Sequence, residues 1–265
     1  MLVLLPPSER KAAPGRSGAP LDVTTLSFPS LTRHRERVLE ALVRVSRGPT
    51  TKALAALGLT VGLRDELARN AELFDAPARR VSTLYTGVLY EALDVGSLSP
   101  ASKRRADRQL VVASALFGAL RLTDRVPAYR LSVAATLPRI GGLAASWRRP
   151  LATAMPDAAR DGLVLDLRSS SYATMWQPDA ELATRTVTVR VLHERVPGDP
   201  STRAVVSHFN KATKGRVVRE LLESASTPAT ADDLADALAG AGRVVEVHPP
   251  RRGKPRAMDV VVGQL

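Results

Sequence analysis

The first eleven residues, MLVLLPPSERK (residues 1–11), decide the fold of this chain of 265 residues. Residues 2–5 form an apolar run that ends at a Pro-Pro pair, a pattern that predicts a short buried strand followed by a polar loop. So short a strand can be buried on both faces only by joining strands from other parts of the chain. We therefore expect one α+β unit that spans residues 1–265.

Hydrophobic periodicity divides the rest of the chain into a helical part and a strand-rich part. Residues 30–124 follow the helical period, and the stretch at residues 99–120 begins with a Ser-Pro helix start. From about residue 160, Val-rich runs bounded by turns predict strands. These runs are residues 162–172, 184–195, 203–209, 242–250 and 257–265. The expected fold is a mixed sheet, built from the N-terminal strand and the C-terminal half, packed with a helical insertion and carrying a basic cleft.

Two further patterns belong to the strand-rich part. The stretch RVPGDPST (residues 195–202) separates two strand-like runs and predicts a hairpin loop. Helical patterns at residues 208–223 and 227–242 interrupt the strands, and the second of these has acidic residues in its first turn. The C-terminal half is therefore expected to alternate strands with helices.

The charge balance indicates a polyanionic partner. The chain has 38 Lys and Arg residues against 26 Asp and Glu residues, a formal net charge of +12. Such an excess favours nucleic acid, nucleotides or an anionic membrane as a partner, whereas a general Arg-rich composition is the alternative explanation. The absence of Cys excludes disulfides, thiolate metal sites and Cys nucleophiles.

The sequence carries no signal for a metal, a cofactor or a membrane. Its four histidines lie in unrelated segments without the paired spacing that metal sites usually show. No nucleotide-binding glycine motif or nucleophile-elbow motif occurs. The apolar run at residues 2–5 is too short to span a membrane or to serve as a signal peptide. We expect a cytoplasmic protein with no cofactor, no metal and no membrane association.

Polar side chains cluster where predicted elements end, which is where mixed sheets tend to place functional sites. One cluster follows the first strand, a second follows the strand at residues 162–167, and a third follows a predicted helix. The cleft candidates in these clusters are Ser8, Glu9, Lys11, Arg121, Asp124, Tyr129, Arg130, Ser169 and Tyr172. The alternative is that each cluster is only a loop with helix caps and surface ion pairs.

The stretch HFNKATKGRVVRELLE (residues 208–223) is more informative than a uniform basic helix. A continuous helix places Lys211 and Lys214 on the apolar side, and Arg216 and Arg219 on the solvent side. Lysines that face inward near a helix N-terminus require an anion, because a buried ammonium without a partner is too costly. The alternative is that Gly215 breaks the helix and releases both lysines into a loop.

Five motifs occur together in the order and spacing of the YaaA family of bacterial peroxide stress proteins, which the chain resembles over nearly its whole length. They are LLPPSERK (4–11), LYTGVLYEALD (84–94), ASALFGALRLTDRVPAYRLS (113–132), LDLRSSSY (165–172) and NKATKGRVVREL (210–221). Single positions depart from the family pattern. Arg10 replaces a glycine, Arg168 an alanine, Ser171 a glutamate and Lys214 an arginine.

The resemblance implies a single-domain α/β fold with a positively charged cleft. It also implies binding of double-stranded DNA and protection of DNA during peroxide stress, linked to limiting free intracellular iron. Binding would be electrostatic, with phosphates neutralised by Lys and Arg. The candidate phosphate-binding residues are Arg104, Arg105, Lys211, Lys214, Arg216 and Arg219, together with Lys103, Arg108 and the RRGKPR loop (residues 251–256).

Two alternatives to DNA binding stay open. Acid, base and anion-binding groups gathered in one cleft also suit an enzyme that acts on a nucleotide, nucleoside or nucleobase, with a nucleotide-like small molecule as the partner. A small enclosed pocket favours this enzyme, whereas an open groove as wide as a duplex favours DNA. The third alternative is a basic protein without a specific ligand.

Overall fold

The first strand, β1 (Leu2–Leu5), is fully buried and lies inside a mixed sheet. This computed structural model describes residues 1–13, 15, 17–224 and 226–263. The strands after β1 are β2 (Arg79–Arg80), β3 (Leu110–Ser114), β4 (Gly118–Arg121), β5 (Arg125–Val126), β6 (Thr136–Leu137), β7 (Gly141–Gly142), β8 (Val164–Asp166), β9 (Thr186–Glu194), β10 (Arg203–Ala204), β11 (Val244–Val247) and β12 (Arg256–Val262).

The helices surround this sheet and fill the connections between its strands. They are α1 (Thr32–Ser46), α2 (Thr50–Leu57), α3 (Asp65–Ala71), α4 (Val81–Leu84), α5 (Val88–Leu93), α6 (Pro100–Gln109), α7 (Leu143–Ala159), α8 (Ser170–Ala173), α9 (Ala180–Thr184), α10 (Ser207–Glu223) and α11 (Ala231–Gly240). Short 3-10 turns occur at Val23–Thr25, Pro29–Leu31, Val61–Leu63, Val95–Ser97 and Pro200–Thr202.

The main sheet has the strand order β11-β12-β9-β8-β1-β3-β4, and β10 pairs with β9. The five inner strands from β12 to β3 run parallel, while β11 and β4 pair antiparallel at the two edges. Parallel strands covered on both faces read as continuous apolar runs, as residues 2–5 do. The predicted α+β fold with a mixed sheet is confirmed, and the first strand does join the later ones.

The prediction of one long helix at residues 99–120 is wrong. Helix α6 ends at Gln109, and the chain continues directly into β3 and β4, which form an antiparallel pair. Leu110, Val111 and Val112 are buried on both faces of the sheet, so this run shows no alternation that would separate a strand from a buried helix. The helical part therefore stops before residue 110 and also contains the short strand β2.

Gly118 allows the tight turn between β3 and β4. Its φ of 75° lies in the left-handed region, which favours glycine. A Cβ atom at this position would lie 2.6 Å from the Trp147 ring of α7. The turn is consequently packed against the helix that contacts β4.

The prediction of a strand at residues 203–209 is largely wrong, because only Arg203 and Ala204 pair with β9 and α10 begins at Ser207. The hairpin loop at residues 195–202 is confirmed, since Arg203 pairs with Glu194. The other strand predictions correspond to β8, β9, β11 and β12. Residues 264 and 265 of the last predicted strand lie outside the described part of the chain.

Helix α10 continues through Gly215, so the alternative of a helix break at this glycine is wrong. The glycine serves close packing instead. A Cβ atom at position 215 would overlap the carbonyl oxygen of Leu89 in α5 and would lie 2.9 Å from the Cβ of Ala92. The apolar stripe of α10, including Val217, Val218 and Leu221, is buried as its periodicity predicts.

The helix predicted at residues 227–242 is α11. Its first turn is acidic, and Thr230 and Asp233 form a reciprocal capping box in which each side chain accepts a hydrogen bond from the other residue's backbone N–H. Among the described residues, no helix is long and apolar enough to cross a membrane.

Candidate functional site

A cavity of about 620 Å³ opens at the carboxyl ends of β1 and β8. The loops that follow these two strands, residues 6–10 and 167–172, form much of its wall. Residues 87–90 at the start of α5, three residues of α10, and Val189 and Arg190 of β9 complete it. The carboxyl ends of parallel strands are where open α/β sheets place ligands. We call this space the main cavity.

The cations that line the main cavity fall into two groups. Arg10, Lys211 and Lys214 form no ion pair with any residue that the structure describes. Arg168 and Arg190 line the same cavity but are already neutralised by carboxylates. The Arg168 guanidinium donates to both carboxylate oxygens of Asp166 at 2.9 and 2.7 Å, and Arg190 binds Asp259 in the same way.

Lys214 is held at the cavity wall by the backbone. Its Nζ donates to the carbonyl oxygen of Leu167, just beyond β8, at 3.0 Å. Burial lowers the pKa of Lys214, and the nearby Asp166 carboxylate opposes that shift. Lys211, one turn earlier in α10, is exposed and also lines the cavity. The continuous helix therefore brings both lysines to one space.

A cluster of aromatic hydroxyls lies beside the main cavity. The Tyr129 hydroxyl forms hydrogen bonds with the Tyr85 hydroxyl at 2.8 Å and with the Ser114 Oγ at 2.7 Å. The Tyr90 hydroxyl donates to the carbonyl oxygen of Pro6 at 2.8 Å, and its ring stacks on Tyr85 with centroids 5.4 Å apart. Burial raises the pKa of all three tyrosines, so their hydroxyls stay protonated at neutral pH.

Lys11 lies against this tyrosine cluster. Its Nζ is 4.1 Å from the centroid of the Tyr129 ring and donates to the carbonyl oxygen of Ser8 at 3.2 Å. Burial lowers the pKa of Lys11 to about 8, although the nearby Glu9 carboxylate acts in the opposite direction. Glu9 itself pairs with Arg130 at 3.1 Å. The ammonium group is thus held by a ring face and a carbonyl oxygen rather than by a direct carboxylate contact.

The strand-end serines and Tyr172 also line the main cavity. The Ser169 Oγ lies 3.0 Å from the Ser171 Oγ, and both residues are exposed. Burial raises the pKa of Tyr172, with further contributions from Tyr129 and Glu9. Of the predicted cleft residues, Ser8, Glu9, Ser169 and Tyr172 line the cavity, and Lys11 lies beside it.

Arg121 and Asp124 do not line the main cavity. The Asp124 carboxylate accepts hydrogen bonds from the backbone N–H groups of Ser27 and Arg121, at 2.9 and 2.8 Å. The Arg121 guanidinium donates to the carbonyl oxygen of Arg108 at 2.5 Å. Asp124 therefore joins β4 to the loop at Ser27, and Arg121 joins β4 to helix α6.

The remaining predicted phosphate-binding residues lie outside the main cavity. Arg105 donates to the carbonyl oxygen of Leu222 near the end of α10, and Arg219 donates to the carbonyl oxygen of Asp94 at 3.0 Å. Arg104 and Arg216 are exposed. Among the described residues, no group of three His, Cys, Asp or Glu residues is arranged to hold a metal ion. The His208 side chain lies outside that description.

The family model described as Peroxide stress protein YaaA matches residues 1–241. The chain belongs to this family. A UPF0246 protein of Streptomyces coelicolor is 54% identical over 266 residues, which cover 100% of both chains. UPF0246 proteins of Corynebacterium efficiens and Corynebacterium glutamicum (strain R) are 43% and 41% identical and cover 95% and 94% of this chain, and 97% and 96% of their own.

Four of the five motifs that resemble the YaaA family line the main cavity, and the third motif (residues 113–132) does not. The cavity lining includes residues 6–9 of the first motif, residues 87–90 of the second and residues 167–172 of the fourth. Lys211 and Lys214 of the fifth motif line the cavity as well. Ser171, which replaces the family's glutamate, is exposed at this wall. Sequence reasoning omitted Tyr85, Tyr90 and Ser114, although the Tyr-x4-Tyr spacing inside the second motif was a signal for the first two.

Proposed function

We propose that this protein of the peroxide stress family binds DNA through the cations of the main cavity and its rim. The observation that carries the proposal is the set of Arg10, Lys211 and Lys214, which line the cavity without an ion pair to any described residue. Of these three, Lys214 is partly buried and gains most from an anionic ligand, while Arg10 and Lys211 are exposed; phosphate suits Arg and Lys alike. The formal net charge of +12 adds long-range attraction to a polyanion.

Neutralising phosphates would also protect DNA from damage by bound iron, an effect separate from the limiting of free intracellular iron that the family resemblance implies. Ferrous ions condense on DNA phosphates like other counterions, and a bound protein releases counterions from the phosphates that it contacts. Ferrous iron and hydrogen peroxide give ferric iron, hydroxide and a hydroxyl radical. Displacing ferrous iron from the DNA surface moves radical formation away from the bases. The chain has no Cys, so this protection does not use a thiol.

A salt titration tests the DNA proposal. Binding of a fluorescent duplex is followed by anisotropy for the wild type and for the double variant Lys211→Gln/Lys214→Met, in which methionine keeps the aliphatic length at the partly buried site. Removing two phosphate contacts should lower the slope of log K against log salt by about 2 and weaken binding more than about tenfold.

The matched control is Arg33→Gln/Arg37→Gln, which removes two exposed charges from α1, away from the main cavity. It should lower the slope by less than the cavity variant does. Equal slopes for the wild type and the cavity variant, with both proteins folded by circular dichroism, would place DNA binding elsewhere. A binding constant indifferent to salt would contradict the electrostatic mechanism.

A second candidate function, an enzyme acting on a nucleotide, nucleoside or nucleobase, is favoured by the size of the main cavity. A volume of about 620 Å³ lies within the range of small-molecule sites. Lys11, whose pKa is lowered to about 8 by burial, offers a base, while the tyrosine hydroxyls beside it, whose pKa burial raises, can donate hydrogen bonds but are poor acids. Saturable stabilisation by one mononucleotide in a thermal-shift series, with conversion seen by chromatography, would support this function. No shift with any nucleotide, nucleoside or base would exclude it.

A further inference from the structure

A second cavity, of about 560 Å³, lies between β9, β12 and the loop that joins β11 to β12. We call it the loop cavity. Its lining residues are Thr188, Val189, Arg190, His248, Pro249, Arg251, Lys254, Pro255, Ala257 and Asp259. Val189 and Arg190 also line the main cavity. The two cavities therefore adjoin along β9, and an extended ligand in one can continue into the other.

The side chains of the loop cavity favour an anion. Arg251 and Lys254 are exposed and form no ion pair with any residue in the described part of the chain. The Asp259 carboxylate, only 4% exposed, accepts hydrogen bonds from Arg190 at 2.8 and 2.6 Å and lies 2.9 Å from the His248 Nε2. A ligand entering this cavity therefore meets cationic groups, while the carboxylate is covered.

Asp259 is committed to these partners. Burial alone would raise the pKa of Asp259, but the hydrogen bonds from Arg190 and His248 outweigh it and lower the pKa. The carboxylate accordingly stays charged and fixes the Arg190 guanidinium, whose side chain remains 57% exposed at the boundary between the two cavities. Arg190 therefore marks the boundary between the two cavities in a fixed orientation, while Arg251 and Lys254, which have no ion pair in the described part of the chain, attract the anion.

The loop is constrained before any ligand binds. Pro249, Pro250 and Pro255 restrict its backbone. The N–H of Lys254 donates to the carbonyl oxygen of Arg251 at 3.1 Å, and Gly253 adopts a φ of 65° within this turn. Such a loop leaves little backbone ordering to be done on binding, which favours affinity, although the exposed Arg251 and Lys254 side chains still have to be ordered.

We infer that one nucleic acid strand occupies both cavities. Its first phosphates lie in the main cavity, a further phosphate lies in the loop cavity, and Arg190 lies between them. This inference rests on the proposed function and sharpens it, because a ligand that spans both cavities is an oligonucleotide strand rather than a single nucleotide. The loop follows residue 241, where the match to the family model ends. The loop side of the second phosphate site is thus outside the residues that the family model matches, while its β9 side lies inside them.

A length series of single-stranded oligothymidylates tests the inference, with chains of about 2 to about 12 nucleotides. For the wild type, affinity should rise steeply, by more than about tenfold, once the chain is long enough to reach both cavities. Arg251→Gln should leave the affinity for the shortest chains unchanged and remove most of the gain at greater length. Its salt slope for long chains should fall by about 0.7.

Arg252→Gln is the matched control, since Arg252 is exposed in the same loop and lines neither cavity. It makes the same change of charge one residue away, so it should change the affinity for long chains less than twofold. Equal losses for the two variants would mean general charge attraction and would overturn the inference. Gradual growth of wild-type affinity with length, without the steep rise, would also overturn it while leaving the proposed function intact. A wild type that binds no oligothymidylate at any length would overturn the inference, while the duplex titration described above decides the proposed function separately.

Discussion

Lys11→Met should stabilise the protein at neutral pH. In the wild type, burial lowers the pKa of Lys11 from 10.5 to about 8, which corresponds to roughly 3 kcal/mol of unfavourable free energy for the charged form in the folded state. Methionine fills a similar volume without that charge. It also loses the contact with the Tyr129 ring and the hydrogen bond to Ser8, together about 2 kcal/mol. The expected net gain at about pH 7 is about 1 kcal/mol.

The pH dependence separates this charge effect from simple repacking. Between the folded-state pKa of about 8 and the unfolded value of 10.5, the unfolded wild type binds more protons than the folded protein, so its stability rises with pH. Relative to the variant, the wild type should therefore gain about 2 kcal/mol between about pH 7 and about pH 9.5. The buried tyrosines titrate alike in both proteins, so their effects cancel in the comparison.

Urea unfolding followed by circular dichroism, at both pH values and for both proteins, measures these quantities. The variant should be the more stable protein at neutral pH and the less stable one at the higher pH. A difference between the two proteins that stays constant over this pH range would refute the reasoning, because it would mean that Lys11 has the same pKa in the folded and unfolded states. Tyr85→Phe is a useful reference, since it alters the same cluster without removing an ammonium group.

Two further substitutions probe the framework of the main cavity. Gly215→Ala should destabilise the protein by about 2 to 4 kcal/mol in the same urea assay, because the added Cβ overlaps the Leu89 carbonyl oxygen. The control Gly62→Ala places its Cβ with no atom within 4 Å, so it should change the free energy of unfolding by less than about 1 kcal/mol. Asp166→Asn leaves the buried Arg168 guanidinium without its charge partner and should cost about 3 kcal/mol at pH 7, measured by urea unfolding. A loss below about 1 kcal/mol would show that the guanidinium reaches solvent instead.

The position of the first strand was predictable from the sequence because its burial requires partners on both sides. The pairing of β1 with β3 was not predictable, since residues 110–113 are apolar on every face and fit a buried helix as well as a buried strand. The same limit explains residues 203–209. Arg203 and Ala204 pair with β9. The apolar run at residues 204–206 does not itself show at which residue the strand leaves the sheet.

The site was predictable in part. The strand-end rule brought Ser8, Ser169 and Tyr172 together with the α10 lysines, since strand ends meet at one edge of a sheet. The rule does not extend to Arg121 and Asp124, whose partners are backbone groups of α6, of β4 and of the loop at Ser27, and such partners have no sequence signature. The spacing of Tyr85 and Tyr90 hinted at their stacking, but the hydrogen bond from Tyr85 to Tyr129 joins residues 44 positions apart, and local patterns do not encode such a contact.

Gly215 has a consequence for ligand selection as well as for packing. It is the residue at which α10 touches the backbone of α5, and Lys214 precedes it directly. Turning the helix about its axis by one residue, roughly 100°, would drive a side chain into that contact. The contact at Gly215 therefore fixes how α10 is rotated about its axis, and this rotation sets the direction in which Lys211 and Lys214 point. A residue without a side chain thus determines the orientation of two of the longest side chains in the cavity.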